Sequence, residues 1–481
     1  MLACTHPFSM VILFAATELA PYAKTGGLAD VLASLPSALG SRGHQVRICL
    51  PFYRRAIRKL RSLQSMGIEL EVVLGRTKHV AHLWRGQTSD SPPLLLIEKD
   101  EFFDRSYLYG PPGRDYADNA SRFFFFSKAV VQIAQRLSPR PDVLHLHDWH
   151  TGLAAVIARR ECPQIKTVFT IHNIAYQGKF PAADFELTNL PWEYFTPEGI
   201  EFYGQINCLK AGIVFSNRVT TVSPRHAQEI QSPGGGHGLE GVLQAHRQKL
   251  VGILNGADYR RWNPATDRKI PASFDAGHLK GKEICKEVLC RELGFPSHTD
   301  PLFLFLGRLV EQKGVELLLQ ATPYLLSWGS QIAVLGTGTP KWEKALEELS
   351  RQNPDRLHLQ FRFSERLAHR FLAGADFLLM PSAFEPCGLT QMYALRYGTL
   401  PIAHATGGLA DTIQDAIEPF ETGTGFLFSP YELPAFLSAC QRALRVYQDP
   451  STLVGLRKRA MGKIFSWDEA ALQYEAIYQD P

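Results

Sequence analysis

Short apolar runs alternate along the chain with stretches in which apolar residues recur every three or four positions. Each run is followed by a turn and then by a helical pattern. In chain order the runs are MVILFAA, QVRICL, PLLLIE, DVLHLH, KTVFTI and RVTTVS, and then PLFLFLG, QIAVLG, DFLLMP and LPIAHA. Continuous apolar strands followed by helices are typical of parallel sheets that are covered on both faces. The pattern predicts an α/β protein built from two successive series of such units.

A segment rich in Gly, Asn, Pro and Asp separates the two series at residues 252–283. A chain of 481 residues is also too long for one ordinary hydrophobic core. We therefore expect a first domain at 1–265, a second domain at 266–460 and a closing segment at 461–481. Within that segment, SWDEAALQYEAIYQD predicts a final helix that is capped by Ser466.

Composition and charge exclude several classes of function. The chain is 45% hydrophobic and 20% charged, with a formal net charge of +4, which is too small and too scattered for a nucleic-acid-binding protein. No uncharged apolar stretch reaches about 18 residues, so no membrane partner is expected. The run at 10–16 is interpreted as a buried first strand and not as a secretion signal, because no cationic segment precedes it and Glu18 follows it. Eight cysteines without a C-x-x-C pair indicate neither a disulfide framework nor a zinc site, and they favour the cytoplasm, or a plastid stroma in a plastid-bearing source.

The hexapeptide TGGLAD occurs twice, at 25–30 and at 406–411. Each copy follows a predicted strand and opens a predicted helix. Paired glycines allow a close backbone approach, and the first N–H groups of a helix attract anions, phosphate above all. Two copies in two α/β domains predict one diphosphate ligand that bridges them. The alternative is that both copies are only tight turns. A dehydrogenase is less favoured, because LGTGTP lacks the third glycine of the dinucleotide-binding motif.

Longer motifs extend over nearly the whole chain. They are KTGGLADV, YADNASRF, HDWHTG, IHNIAYQG, TVSPRHAQEI, GILNGADYRRWNP, GRLVEQKG and LAHRFLAGADFLLMPSAFEPCGLTQMYALRYGTLPIAHATGGLADTI. With these motifs the chain resembles the glycogen and starch synthases, which are retaining glycosyltransferases that use ADP-glucose, or UDP-glucose in some relatives. The resemblance implies the GT-B fold. In that fold two Rossmann-like domains face each other across a cleft, and the final helix crosses back to the first domain.

Cations are needed where negative charge grows on the leaving diphosphate. Arg308 and Lys313 follow the predicted strand PLFLFL, at the end where parallel sheets bind ligands. A bidentate guanidinium and a compact ammonium group suit a diphosphate, although two solvated loop cations are the alternative. Such cations make a metal unnecessary, and the resemblance implies the same. It also implies that Lys24 contacts the phosphates and that the ring of Phe363 stacks on adenine, the alternative being a core aromatic residue. Asp30 is expected either to contact the nucleoside or to cap the helix.

The glucosyl ring needs a carboxylate or a carbonyl group beside it. Glu385 follows the strand DFLLMP, and the resemblance implies that it is the principal catalytic acidic residue, as a nucleophile or an electrostatic stabiliser. A second Glu eight residues later is absent, since Tyr393 stands there, as expected for this branch of the family. The resemblance implies that His172, with Asn173 beside it, contacts the glucosyl group. The histidines of HLHDWH lack a third ligand at metal-site spacing, so Asp148 is expected on the sugar or acceptor side and no metal is expected.

Eight further residues are expected to bind the donor. They are the glycines of the two turns and the residues that follow Glu385, namely Gly26, Gly27, Cys387, Gly388, Leu389, Thr390, Gly407 and Gly408. The predicted reaction moves glucose from ADP-glucose to the non-reducing end of an α-1,4-glucan with retention. Both compounds are then substrates, no cofactor is required, and the oligomeric state stays open. Two alternatives remain, a GT-B enzyme with another sugar nucleotide and a glucan-binding protein without catalysis.

Overall fold

The chain folds into two compact units. The structure, a computed structural model, describes residues 9–53, 60, 62–88, 92–111, 113–362 and 364–480. Unit 1 comprises Met1–Gly256 together with Trp467–Pro481, and unit 2 comprises Ala257–Ser466. Phe363 lies outside the described residues, so its expected stacking on adenine stays a prediction.

Strands alternate with helices through much of both units, as the apolar runs predict, although residues 62–87 form two antiparallel strands in succession. The strands are β1 (Val11–Ala15), β2 (Gln45–Pro51), β3 (Ser62–Leu74), β4 (Thr77–Gln87), β5 (Leu94–Glu98), β6 (Val143–His147), β7 (Lys166–Ile171), β8 (Lys179–Pro181), β9 (Glu201–Phe202), β10 (Gln205–Asn207), β11 (Arg218–Thr221), β12 (Leu250–Gly252), β13 (Leu302–Leu306), β14 (Gln331–Leu335), β15 (Leu357–Gln360), β16 (Phe377–Met380), β17 (Leu400–His404) and β18 (Phe426–Phe428).

The helices cover the sheets and connect successive strands. They are α1 (Gly27–Ser41), α2 (Asp100–Phe103), α3 (Asn119–Arg136), α4 (Trp149–Glu161), α5 (Phe185–Thr188), α6 (Cys208–Phe215), α7 (Pro224–Glu229), α8 (Glu240–Ala245), α9 (Lys280–Leu293), α10 (Val315–Ser327), α11 (Pro340–Gln352), α12 (Glu365–Gly374), α13 (Thr390–Arg396), α14 (Gly407–Thr412), α15 (Leu433–Gln448), α16 (Pro450–Met461) and α17 (Trp467–Gln479). None of the helices formed by the described residues combines the length and the apolarity that a membrane crossing requires.

The main sheet of unit 1 has nine strands in the order β12-β11-β7-β6-β1-β2-β5-β4-β3. Strand β1 lies near its centre and pairs in parallel with β2 and β6. Leu13 and Ala15 belong to the core on one face of the sheet, whereas Ile12 and Phe14 belong to the core on the other face. Side chains alternate between the faces of a strand, so a strand covered on both sides must be apolar throughout. Burial on both faces explains why the first predicted strand is apolar without interruption, and the structure confirms that strand.

Three neighbouring parallel strands of unit 1 end at the same edge of the sheet, in the order β7-β6-β1. His172 follows β7, Asp148 follows β6, and Glu18 comes three residues after β1. Side chains that are far apart in the sequence are thereby brought to one edge, where α/β sheets bind their ligands.

Unit 2 contains one parallel sheet of six strands in the order β15-β14-β13-β16-β17-β18. Strands β13, β16 and β17 are neighbours. Arg308 follows β13, Glu385 lies five residues after β16, and Gly407 lies three residues after β17. The edge of this sheet therefore gathers three of the predicted site segments.

The final helix α17 belongs to unit 1, which confirms the expected return of the chain. It packs on α1, and its Tyr474 and Tyr478 are buried in the same core as Ile12 and Phe14. The Tyr478 hydroxyl shares a hydrogen bond of 2.7 Å with Nδ1 of His145. These contacts anchor the helix to the centre of the sheet.

Candidate active site

The first TGGLAD copy begins helix α1, with Gly26 as the residue before the helix and Gly27 as its first residue. The ammonium group of Lys24 donates to both oxygens of the Asp30 carboxylate, at 2.6 and 2.8 Å. Both side chains are partly exposed, at 35% and 26%. Asp30 therefore orients the lysine that is expected to reach the phosphates, while its expected contact with the nucleoside or role as a helix cap stays a prediction.

An anion from the chain itself already occupies part of this turn. The carboxylate of Glu18 accepts hydrogen bonds from the backbone N–H groups of Thr25, at 2.7 Å, and Gly26, at 3.2 Å. It also accepts from the hydroxyl groups of Thr25, at 2.5 Å, and Tyr109, at 2.9 Å. Sequence reasoning missed Glu18 as a functional candidate. Its signal was a single charged residue within the apolar stretch that follows the first predicted strand.

The two TGGLAD copies differ in what surrounds their glycines. A Cβ atom added to Gly26 or Gly27 would meet no heavy atom within 4 Å. A Cβ atom on Gly407 would lie 2.0 Å from the carbonyl oxygen of Glu385, and one on Gly408 would lie 2.1 Å from that of Cys387. The close approach that the second copy requires is thus to the backbone of 385–387. This contact gives the second pair of glycines a structural reason of their own, and their contact with a donor stays a prediction.

Glu385 is 6% exposed, and its charge is balanced at the site. Its Oε2 atom is in ion-pair contact with the ammonium group of Lys313, and it accepts a hydrogen bond of 3.2 Å from the Ser382 hydroxyl. A buried carboxylate is costly unless it is paired and hydrogen-bonded. The predicted Lys313 and Glu385 are therefore brought together, and Ser382 is a partner that the sequence did not reveal.

Backbone contacts hold the lysine beside the carboxylate. Gly314 adopts φ +70°, and a Cβ atom there would lie 1.6 Å from the carbonyl oxygen of Pro381. The N–H of Ala383 donates to the carbonyl of Gln312 at 2.9 Å. The GRLVEQKG turn and the Glu385 loop are thus packed backbone against backbone, which requires glycine at 314.

Arg308 is exposed at the end of β13. In the part of the chain that the structure describes, its guanidinium group has no hydrogen-bond or ion-pair partner. It lies on the same loop as Lys313, five residues earlier. A cation in this position is available to a ligand, and its contact with a diphosphate stays a prediction.

The segment after Glu385 leads into helix α13, which begins at Thr390 and is preceded by Leu389. Gly388 adopts φ +73°, the left-handed region that favours glycine. The side-chain amide of Gln391 donates to the carbonyl groups of Cys387, at 2.9 Å, and Gly388, at 3.1 Å. One glutamine therefore fixes the turn whose residues are expected to bind the donor.

His172, Asp148 and Asn173 come together in unit 1. The Asp148 carboxylate accepts from the backbone N–H of His172 at 2.8 Å, and Nε2 of His172 shares a hydrogen bond of 2.9 Å with Nδ1 of His147. Burial lowers the pKa of His172 to about 3, so its ring is neutral at pH 7. Burial also raises the pKa of Asp148 to about 7. The site pairs a neutral imidazole with a carboxyl group that titrates near neutrality.

The other histidines of HLHDWH have structural partners. His145 is bonded to Tyr478 and, through Nε2, to the Thr170 hydroxyl at 2.6 Å. The His150 ring stacks on Tyr109 at 4.5 Å. Over the described ranges, no cluster of three or more His, Cys, Asp or Glu side chains has the geometry to hold a metal ion. His145 and His150 are thus held by hydrogen bonding and ring packing within unit 1.

Tyr393 occupies the position where related families have a second glutamate. Its ring stacks on the ring of Trp262, with 4.3 Å between the ring centroids. The Trp262 ring also stacks on that of His369, with 3.7 Å between the centroids. The position serves packing between helices α12 and α13 and the segment around 262. A carboxylate there would lose this aromatic contact.

Two family models match successive parts of the chain. The model of the starch synthase catalytic domain matches residues 11–245, and that of glycosyl transferases group 1 matches residues 292–453. A glycogen synthase of Anaeromyxobacter sp. (strain Fw109-5) is 45% identical over 478 residues, covering 98% of this chain and 99% of that protein. A glycogen synthase of Opitutus terrae is 43% identical over 479 residues, covering 98% of this chain and all of that protein.

Solved structures show the same fold. The catalytic domain of starch synthase IV from Arabidopsis thaliana, bound to ADP and acarbose, superimposes with a TM-score of 0.90 at 35% identity, covering 98% of this chain and 99% of that one. Sucrose-phosphate synthase from Thermosynechococcus elongatus shares the fold at 18% identity, with a TM-score of 0.62 over 98% of both chains. The expected fold class is confirmed. The chain belongs to the glycogen and starch synthases, a family of glycosyltransferases with the GT-B fold.

Proposed function

We propose that this glycosyltransferase moves the glucosyl group of ADP-glucose to the 4-hydroxyl at the non-reducing end of an α-1,4-glucan, with retention at the anomeric carbon. The observation that carries the proposal is the ion pair between Lys313 and the buried carboxylate of Glu385, at the end of the strands that also present Arg308. The starch synthase structure that resembles this chain was solved with ADP and acarbose, which supports a nucleotide and a glucan as its ligands.

Unit 2 supplies the groups for the departing diphosphate. Bond cleavage leaves negative charge on the phosphate, and preorganised cations in a water-poor site stabilise that charge. Arg308 has no protein partner among the described residues and offers a bidentate fork. Lys313 forms an ion pair with Glu385, so its ammonium group is already held in position before the reaction. These cations take the place of a metal, and ADP-glucose is a substrate and not a cofactor.

Glu385 serves the positive charge that develops on the glucosyl ring. Lys313 and Ser382 both donate to its Oε2 atom, and no described residue forms a hydrogen bond or ion pair with its Oε1 atom. One oxygen is thereby anchored, and the other is left for the sugar. A trapped covalent glycosyl intermediate on Glu385 would show that Oε1 attacks the anomeric carbon, and its absence would favour electrostatic stabilisation.

Unit 1 supplies groups for the sugar and for the phosphates. The neutral ring of His172 has a second nitrogen, Nδ1, that is bonded to no described residue, and it is suited to a sugar hydroxyl. Asp148 and Asn173 lie beside it on the same sheet edge. Lys24 is oriented by Asp30 toward the beginning of α1 and contributes a further cation for the phosphates.

The test is a direct comparison of donors. The enzyme is incubated with glycogen and either ADP-glucose or UDP-glucose, and the released nucleotide gives kcat/KM for each. We expect a higher kcat/KM with ADP-glucose. An equal or higher value with UDP-glucose would overturn the donor assignment and favour the alternative of another sugar nucleotide.

Two controls test whether the protein is a catalyst or only binds glucan, and whether the reaction retains the anomeric configuration. Glu385→Gln retains the size of the side chain and removes its charge, so nucleotide release should be lost. If neither donor is turned over while glycogen still binds, the chain is a glucan-binding protein without catalysis. Digestion of the product by an enzyme specific for α-1,4 linkages at the non-reducing end checks retention.

A further inference from the structure

Glu18 is a buried carboxylate whose charge is met by hydrogen bonds and not by a cation. It is 4% exposed, and no ion pair to it is found among the residues that the structure describes. Two backbone N–H groups and two hydroxyl groups, from Thr25, Gly26 and Tyr109, donate to its two oxygens. A buried acceptor with four donors is fully satisfied and holds those donors in place.

The division of these donors between the two oxygens is informative. Oε2 accepts the N–H groups of Thr25 and Gly26, which come directly before helix α1. Oε1 accepts the hydroxyl groups of Thr25 and Tyr109. One oxygen therefore holds the backbone of the first TGGLAD turn, and the other ties that turn to a distant part of unit 1.

Tyr109 carries the connection further across the same sheet edge. Its hydroxyl also shares a hydrogen bond of 2.7 Å with Thr17, and its ring stacks on His150 at 4.5 Å with 26° between the ring planes. His150 lies in the first turn of α4, two residues after Asp148. Glu18 thus joins the loop that carries Lys24 to the element that carries Asp148.

We propose that Glu18 is a positioning residue for the transfer reaction. Its carboxylate shape fixes the conformation of Lys24–Gly27, so that the lysine and the beginning of α1 are ready for the donor before it binds. The role given to the donor rests on the proposed function, whereas the ordering of the loop does not. Preorganisation of this kind lowers the cost of binding, because the loop has less freedom to lose.

Two conservative variants separate the shape of Glu18 from its charge. In Glu18→Gln the amide oxygen can accept from the two N–H groups, and the amide nitrogen can donate to the hydroxyls of Thr25 and Tyr109, since hydroxyls also accept. The geometry is retained and the charge is lost. Glu18→Asp retains the charge, but its shorter side chain cannot reach both sets of donors.

The first measurement is amide hydrogen exchange over a peptide that contains Thr25–Gly27, in the protein without ligand. We expect at least tenfold faster exchange in Glu18→Asp and less than threefold change in Glu18→Gln. The second measurement is the Kd for ADP, by calorimetry, with kcat and KM for ADP-glucose. Glu18→Asp should raise Kd and KM about tenfold or more, with a smaller effect on kcat, and Glu18→Gln should stay within threefold of the wild type.

Glu475→Gln is the matched control. Glu475 is also a carboxylate of unit 1, and it is partly buried. It accepts hydrogen bonds from Arg42 at 2.6 Å and from His44 at 2.9 Å, where α17 packs on the rest of the unit. We expect it to lower Tm and to leave the loop exchange, the Kd and the KM unchanged. If Glu18→Asp behaves like this control, the positioning role is refuted.

The opposite order of the two Glu18 variants, with Asp normal and Gln impaired, would also refute the proposal, because charge and not shape would then matter. Absence of ADP binding by the wild-type enzyme would instead count against the proposed donor. In that case the hydrogen-exchange comparison still decides whether Glu18 orders the loop, so the two failures are distinguishable.

Discussion

One methyl group, placed at equivalent positions of the two TGGLAD copies, should have opposite effects on stability. Gly27→Ala and Gly408→Ala make the same chemical change in the same hexapeptide. At Gly27 the new Cβ atom meets nothing within 4 Å. At Gly408 it would lie 2.1 Å from the carbonyl oxygen, 2.4 Å from Cα and 2.6 Å from the carbonyl carbon of Cys387. Those neighbours are backbone atoms, which cannot rotate away as a side chain can.

The expected magnitudes follow from these distances. Overpacking typically costs about 1–3 kcal/mol, and a clash with three backbone atoms belongs at the upper end, about 3 kcal/mol. For a unit of this size, each kcal/mol shifts Tm by roughly 2–4 °C, so unit 2 should melt about 6–12 °C lower in Gly408→Ala. Gly27→Ala should be between unchanged and about 1 kcal/mol more stable, because alanine reduces the freedom of the unfolded chain.

Differential scanning calorimetry is the suitable assay, because a chain with two compact units need not unfold in a single step. The thermogram of Gly408→Ala should show the loss in one transition. Gly27→Ala should melt between the wild-type temperature and about 4 °C above it. A Gly408→Ala Tm within about 2 °C of the wild type, or an equal drop in Gly27→Ala, would refute the difference between the two turns.

Three further outcomes are expected. Lys313→Ala should lower kcat by about two to three orders of magnitude, the typical cost of one preorganised charge-stabilising group, and a loss below threefold would contradict its role at the diphosphate. Excess EDTA should leave the wild-type rate unchanged, and loss of activity that Mg²⁺ restores would show that a metal is needed. Asp148→Asn should gain stability relative to the wild type as pH rises from about 4 to about 7 in denaturant titrations. The pKa of Asp148 is raised to about 7 in the folded state, so ionisation of this carboxyl group between about pH 4 and about pH 7 favours the unfolded wild-type chain. The variant has no such group, and its stability relative to the wild type therefore rises with pH. A constant difference between the two proteins across this range would contradict the raised pKa.

Much of the fold was predictable because it depends on local pattern. A strand that is apolar throughout, such as β13, indicates a sheet that is covered on both faces. Because Arg308 and Lys313 follow that strand in the sequence, their place at its carboxyl end was predictable. The sequence placed both Lys313 and Glu385 after parallel strands, but it did not predict the ion pair between them. That β13 and β16 are adjacent, however, is a property of the sheet order, which no local pattern contains.

Identical sequences with different surroundings set the limit of such reasoning. The two TGGLAD copies suggest one role, yet the first holds the carboxylate of Glu18 and the second packs against the backbone of 385–387. The decisive partners are distant in sequence, since Tyr109 stands 91 positions from Glu18. Hydrogen bonds of that range depend on the assembled sheet, and they were not visible to spacing or propensity.

The place of α17 has a consequence for the order in which the protein is made. During translation the whole of residues 257–466 emerges between the two parts of unit 1. Until Tyr474 and Tyr478 follow, the core beside Ile12 and Phe14 lacks two of its largest side chains, and His145 lacks its partner hydroxyl. Unit 1 therefore completes its core only after unit 2 has been synthesised, although nearly all of its sequence comes first. Unit 2, which is continuous in sequence, is free to fold earlier, so the order of folding is expected to be the reverse of the order of synthesis.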